Sequence, residues 1–245
     1  MVSSSIPRDV GHASVTARGP AGFRLGLVAD THIPEARSQL WPQVFEAFAG
    51  CDAILHGGDI HELRLLDQLE QVAPVFAARG NGEDGFGGRP RAGLDARLHD
   101  TWILALAEAP GAGPAAVRVG MIHDLTIPEV PPHLTVDNVS RRRFAVEPGT
   151  PEALDVIVYG DTHVERIDQV GATLCINPGS PTYPRNLQTR LGTIGFLEHA
   201  RGQVRASICQ LTETGYETLT VTTIRVGPQA PVSPSPPSAT VRPEV

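Results

Sequence analysis

The run Leu27-Val28-Ala29-Asp30-Thr31-His32 has the form of a buried strand that ends in a carboxylate and an imidazole two positions apart. Successive side chains on a strand point to opposite faces, so residues two apart share one. With extended backbone through Thr31, Asp30 and His32 would face the same ion. Taken alone, the pair fits a helix cap followed by a surface histidine better. Its meaning comes from what stands at the ends of the later strands.

Working outward, Arg24 to Ala29 reads as the first strand, and Ile33-Pro34 breaks it. Leu40, Val44, Phe45 and Phe48 recur at helical spacing, which predicts an amphipathic helix over Trp41 to Ala49 closed by Gly50. Ala53 to His56 is a second apolar strand, and Gly57-Gly58 lets the chain turn sharply and carry Asp59 to the rim. Leucines at 63, 66 and 69 predict a second helix; Val75 to Ala78 reads as a third strand, running into Arg79-Gly80-Asn81-Gly82. Strand and helix therefore alternate through the first third, the pattern of parallel strands joined by crossover helices. In such sheets functional groups collect beyond the carboxyl ends of the strands, where Asp30, His32, Asp59 and Asn81 all fall.

Further on, Thr101 to Leu106 and Val117 to Ile122 read as a strand pair that ends at His123. A proline-rich connection over Ile127 to Pro132 and a helix over Leu134 to Phe144 are expected next, with Arg141-Arg142-Arg143 as a solvated cationic helix end. Val156 to Tyr159 is another buried strand, ending in Gly160-Asp161-Thr162-His163. Thr173 to Ile176 leads into the tight turn Asn177-Pro178-Gly179-Ser180; Thr193 to Leu197 and Val204 to Cys209 read as a closing hairpin, with an edge strand over Glu217 to Arg225.

The 245 residues, 41% of them hydrophobic, suit a soluble globular protein. Residues 1–22, rich in Ser, Gly and Ala, are expected to be a disordered leader, and 226–245, with six prolines from Gly227 onward, a disordered tail; 23–225 is then the domain. A formal charge of -7 argues against a broad nucleic-acid surface. No apolar run reaches the length of a membrane span, so no membrane partner is expected. Three cysteines without Cys-x-x-Cys spacing point to a reducing cytoplasm rather than a disulfide framework.

The strand-end set Asp30, His32, Asp59, Asn81, His123, Asp161 and His163 offers oxygen and imidazole donors and no thiolate. Such donors suit Mn, Fe, Zn, Ni or Mg. Seven are too many for one tetrahedral site and match two ions that share a carboxylate. Asp59, on its glycine turn, is the natural bridge. His56 reads as a packing or supporting residue, His61 as the solvated start of the second helix, and His12, His99, His133 and His199 as surface residues.

The order Asp30-x-His32, Gly58-Asp59, Gly80-Asn81, His123, Gly160-x-x-His163 and Asn177-Pro178-Gly179-Ser180 resembles the calcineurin-like metallophosphoesterases. It is most similar to their small bacterial and archaeal phosphodiesterases, whose relatives include a vacuolar sorting subunit of retromer. The resemblance runs from about Phe23 to about Cys209. It implies an α/β fold, a four-layer αββα sandwich of two mixed sheets flanked by helices. It also implies two divalent ions, one held by Asp30, His32, Asp59 and His163 and the other by Asp59, Asn81, His123 and Asp161. A hydroxide bridging those ions would attack a phosphate ester in line, with Asp59 and Asn81 as catalytic residues and Asn81 touching a phosphoryl oxygen. Arg185, just after the Asn-Pro-Gly-Ser turn, is the candidate for a second contact with substrate phosphate.

Two positions depart from the family pattern. Gly-His-x-His is usual where this chain has Gly160-Asp161-Thr162-His163, and the added carboxylate is expected to favour Mn over Zn. Larger members carry a histidine after the asparagine, where it helps protonate the leaving group; here the residue is Gly82. Two other readings stand beside the phosphodiesterase: a scaffold of the same fold without catalysis, and a nuclease, which the net acidity disfavours.

Overall fold

The computed structural model describes residues 9–19, 22–85, 88, 91–107, 117–125, 143–147 and 150–226. In chain order these form β1 (Val10–Thr16), β2 (Phe23–Val28), α1 (Pro42–Phe48), β3 (Ala53–His56), α2 (Arg64–Glu70), β4 (Val75–Ala78), β5 (Leu98–His99), β6 (Thr101–Ala107) and β7 (Val117–Ile122). Then follow β8 (Arg143–Glu147), β9 (Thr150–Ala153), β10 (Val156–Val158), β11 (Arg166–Val170), β12 (Thr173–Asn177), β13 (Thr193–Ala200), β14 (Gln203–Thr212) and β15 (Gly215–Arg225).

Two mixed sheets carry the fold. One has the order β15-β14-β13-β2-β3-β4-β5, the other β1-β6-β7-β10-β12-β11; β8 and β9 pair separately. β2, β3, β4 and β5 run parallel, as do β7, β10 and β12, while β13, β14 and β15 are antiparallel. The strands of the parallel cores are buried on both faces and so read as continuous apolar runs. Along β2, Leu25 and Leu27 enter a core shared between the sheets, with Leu55, Leu104, Val119, Val158 and Ile176. Val28 joins a second core with Ile54, Phe196, Val44, Phe48, Leu66 and Leu69, where both helices cover the outer face of the seven-stranded sheet. Gly26 permits that packing, because a Cβ there would lie 2.6 Å from the Phe48 ring.

Three sequence expectations change. Val10–Thr16 lies inside the expected leader but forms β1, paired in parallel with β6 from Val10↔Thr101 onward. Gly11 is what its partner requires: a Cβ there would lie 2.6 Å from the Trp102 ring. In this strand and just past it, buried Gly11, Val15 and Ala17 alternate with exposed His12, Ser14 and Thr16, a strand signal carried by small residues and completed only by a partner some ninety residues away. The helix expected over Leu134 to Phe144 lies mostly outside the described residues, together with Arg141 and Arg142, but Arg143 and Phe144 are on β8. β11 was not anticipated; it is an edge strand with partly exposed, polar residues. Among the described residues no helix is long and apolar enough to cross a membrane.

Candidate metal centre

The carboxyl ends of β2, β3 and β4 in one sheet meet those of β7, β10 and β12 in the other, and the predicted donors follow directly after these ends. The extended Asp30-Thr31-His32 geometry does not form. Asp30 (φ 53°) and His32 (φ 45°) both take left-handed backbone, as do Asp161 (φ 69°) and His163 (φ 56°), and Asp59 (φ 55°) and His61 (φ 73°). The same Asp-x-His unit is therefore built three times. Left-handed backbone costs a non-glycine residue about 1–2 kcal/mol, and such conformations persist where surrounding contacts over-determine them.

Hydrogen bonds between the strand-end loops supply those contacts. The parallel pairing of β2 with β3 continues into the loops: Asp30 N donates to Gly58 O (2.9 Å), His32 N to Asp59 O (2.9 Å) and Ile33 N to Ile60 O (3.1 Å). Glu83, only 1% exposed, accepts four backbone N–H groups. Its Oε1 takes Ile60 N and His61 N, both at 2.8 Å, and its Oε2 takes Asp59 N at 3.0 Å and Gly80 N at 2.8 Å. The Asn177-Pro178-Gly179-Ser180 turn clamps the other two loops: Asn177 Nδ2 donates to Gly160 O (2.8 Å), and Ser180 Oγ to Asp30 O (2.7 Å). Gly58 opens the rim for an imidazole, since a Cβ there would lie 2.5 Å from His123 Nδ1.

The donors converge on Asp59. Its Oδ2 lies 3.3 Å from His32 Nε2 and its Oδ1 3.4 Å from His123 Nε2. Around His123 Nε2 stand Asn81 Oδ1 at 3.2 Å and Asp161 Oδ1 at 3.6 Å. On the other side, donor atoms of Asp30, His32 and His163 lie within 4.8 Å of one another. Two imidazoles are oriented from behind: His123 Nδ1 donates to Gly57 O (2.7 Å) and His163 Nδ1 to Tyr183 O (2.8 Å). In its neutral form each ring turns the lone pair of Nε2 inward, the arrangement usual for metal-ligating histidines.

Electrostatics fit a cation. Among the described residues Asp30 Oδ2 and His32 Nε2 are buried without a hydrogen-bond partner, which is costly for polar atoms unless an ion meets them. Burial pushes the Asp30 carboxyl up to about 8 and the His32 imidazole down to about 4. Burial alone would lower His123, but the carboxylates of Asp30 and Asp59 hold it above its ordinary value. Positive charge placed among these donors reverses the Asp30 shift and keeps His32 neutral for ligation.

His56 plays the supporting part expected of it. Its Nε2 pairs with Thr31 Oγ1 at 3.0 Å and its Nδ1 accepts from Gly58 N at 3.2 Å. Burial pushes its imidazole down to about 3, with the charge of His123 adding to the effect. The fold therefore keeps His56 neutral, while the unfolded chain takes up a proton below about 6.5. Between about 3 and 6.5 the unfolded state binds more protons, so stability falls as pH falls. The slope from this group is about 1.4 kcal/mol per pH unit. Urea unfolding of metal-stripped wild type and His56→Asn across this window should give a steeper pH dependence for wild type; parallel curves would contradict it.

The remaining predicted residues sort as follows. Arg185 is exposed; its backbone N donates to His163 O (3.1 Å), and its charge helps hold the His163 imidazole down, after burial. His199, expected on the surface, is 3% exposed and stacks on Phe23. His99 pairs with Asp9 at 2.8 Å, His12 is exposed, and His133 lies outside the described residues. His61 precedes α2 but is not solvated: its side chain is 3% exposed and its ring packs on His32. Glu83 was likewise missed. Its signal was an acid two residues past Asn81, in a strand-end loop.

Carboxylates, imidazoles and an amide are thus gathered at the facing strand ends of two mixed sheets, a set that could hold metal ions. The calcineurin-like phosphoesterase superfamily domain matches residues 23–201, and the chain belongs to that superfamily. It is similar to a probable metallophosphoesterase of Methanothermobacter thermautotrophicus, 33% identical over 162 residues, which covers 66% of this chain and 78% of that one. A probable metallophosphoesterase of Methanocaldococcus jannaschii is 29% identical over 181 residues, covering 73% and 78% respectively. In fold it is similar to Vacuolar Protein Sorting 29 from Cryptosporidium parvum, at TM-score 0.59 and 17% identity over 83% of this chain and 98% of that one.

Proposed function

We propose that this chain is a binuclear metal-dependent phosphodiesterase. The observation that carries the reading is the division of one carboxylate: Asp59 turns Oδ2 to His32 and Oδ1 to His123. Asp30, His32, Asp59 and His163 would hold one ion, and Asp59, Asn81, His123 and Asp161 the other. When bound, such ions lower the pKa of water and polarise phosphoryl oxygens. The protein's own part is to fix the donors and orient the ester. Asn81 would offer its amide to a phosphoryl oxygen, and Arg185, exposed on the loop bonded to His163, would contact a second.

The oxygen-rich second position supports Mn first, with Fe, Ni, Zn and Mg as alternatives. The test is hydrolysis of a chromogenic phosphodiester, and of its monoester, by metal-stripped protein with each metal added back. Turnover that requires metal and favours the diester and Mn is expected. Bound metal without turnover of either ester would instead support a scaffold of this fold.

A further inference from the structure

We propose that His61 is an additional metal ligand, joining Asp30, His32, Asp59 and His163 at the first ion position. The inference rests on the metal-hydrolase reading above and adds a residue that reading does not use.

Three independent observations meet at this side chain. First, Asp59-Ile60-His61 repeats the backbone of the other two Asp-x-His units, left-handed at both the acid and the histidine. Secondly, its donor atom lies within 4.8 Å of those of His32 and Asp59, and the rings of His32 and His61 meet edge-on at 4.3 Å. Thirdly, it is oriented from behind as His123 and His163 are. Its Nδ1 sits 2.6 Å from Glu35 Oε2, and the carboxylate there can only accept. The Nδ1–H is thereby engaged, and the lone pair of a neutral ring falls on Nε2. A carboxylate behind an imidazole is a recurrent support for metal-binding histidine.

The edge of the His61 ring lies against Gly82, beside the Asp59 carboxylate. A Cβ at 82 would lie 2.7 Å from His61 Nε2 and 3.2 Å from Asp59 Oδ1. The imidazole edge thus occupies the space beside the Asp59 carboxylate that any larger residue at 82 would fill. With His61 included, the first position holds three imidazoles and two carboxylates, whereas the second holds one imidazole among oxygen donors. The two positions then differ in kind: the first suits a nitrogen-preferring ion such as Zn or Co, the second a harder one such as Mn.

The test is metal binding rather than turnover. Wild type, His61→Ala, His61→Gln, Glu35→Gln and Asp59→Asn would be titrated with Co(II) and followed by its visible absorption, and with Zn against a competing chelator. Loss of at least about tenfold in Zn affinity at one position in both His61 variants, with an altered Co(II) spectrum and a smaller loss in Glu35→Gln, is the expected result. Unchanged affinity and spectrum in His61→Gln, while Asp59→Asn loses metal, overturns the role of His61 and leaves the hydrolase reading standing. A wild type that binds neither metal overturns both. His61→Gln keeps much of the ring's volume, so it remains informative if His61→Ala does not fold.

Discussion

Asp59→Asn is expected to lower metal-dependent diester hydrolysis roughly a thousandfold, since Lewis-acid stabilisation of the transition state is worth several kcal/mol. The substitution keeps the shape of the side chain and removes one oxygen and one charge. Which oxygen is lost follows from the structure. Gly82 N donates to Asp59 Oδ1 at 2.8 Å in a buried loop, so an acceptor must stay in that place. The asparagine amide group then replaces Oδ2, the atom facing His32 Nε2. The first ion position loses a ligand and the shared negative charge, while the second keeps its oxygen. Metal content should fall from two ions toward one, with the remaining ion at the position of Asn81, His123 and Asp161. Retention of two ions with activity within tenfold of wild type would show that Asp59 does not bridge.

The second large effect is expected on stability. Glu83→Ala strands four backbone N–H groups, those of Asp59, Ile60, His61 and Gly80, beneath a buried loop. Each unsatisfied buried donor costs about 1–3 kcal/mol; with some relief from water entering the space, the loss should be about 4 kcal/mol or more. Against a typical domain stability of about 5–15 kcal/mol, that leaves a marginal fold. Glu83→Gln is no refuge. Each carboxylate oxygen accepts two N–H groups, so an amide nitrogen at either place meets two donors as a third. Urea unfolding should place Gln nearer to Ala than to wild type, and both variants should bind metal weakly because the Asp59 and His61 backbones lose their anchor. A Gln variant within about 1 kcal/mol of wild type would mean that the loop holds its left-handed turns without the carboxylate.

These two residues also show where reading the sequence succeeds and stops. Asp59 was legible because an apolar strand, a double glycine and an acid form a local pattern with a local cause. Glu83 was not, because its partners are spread from 59 to 80 and no periodicity marks an acid whose task is to receive backbone N–H groups. His61 was read as solvated for a similar reason. Its burial depends on β2 and β3 lying side by side, which brings the His32 ring against it, and on Gly82 leaving room.

The sequence by itself determined most element types near the site and the order of the seven strand-end polar residues. Apolar runs, glycine turns and strand-end polar residues all act within a few positions, and their physics is local. Only the tertiary structure decided the geometry that brings these residues together. Left-handed backbone at six non-glycine residues is unfavourable in isolation. It is held by hydrogen bonds between loops far apart in the chain, from 28 residues in the Asp30–Gly58 pairing to 150 in Ser180 Oγ on Asp30 O. The same long-range closure placed β1 on β6 and turned His61 inward, because a contact between distant segments has no signature until the chain brings them together.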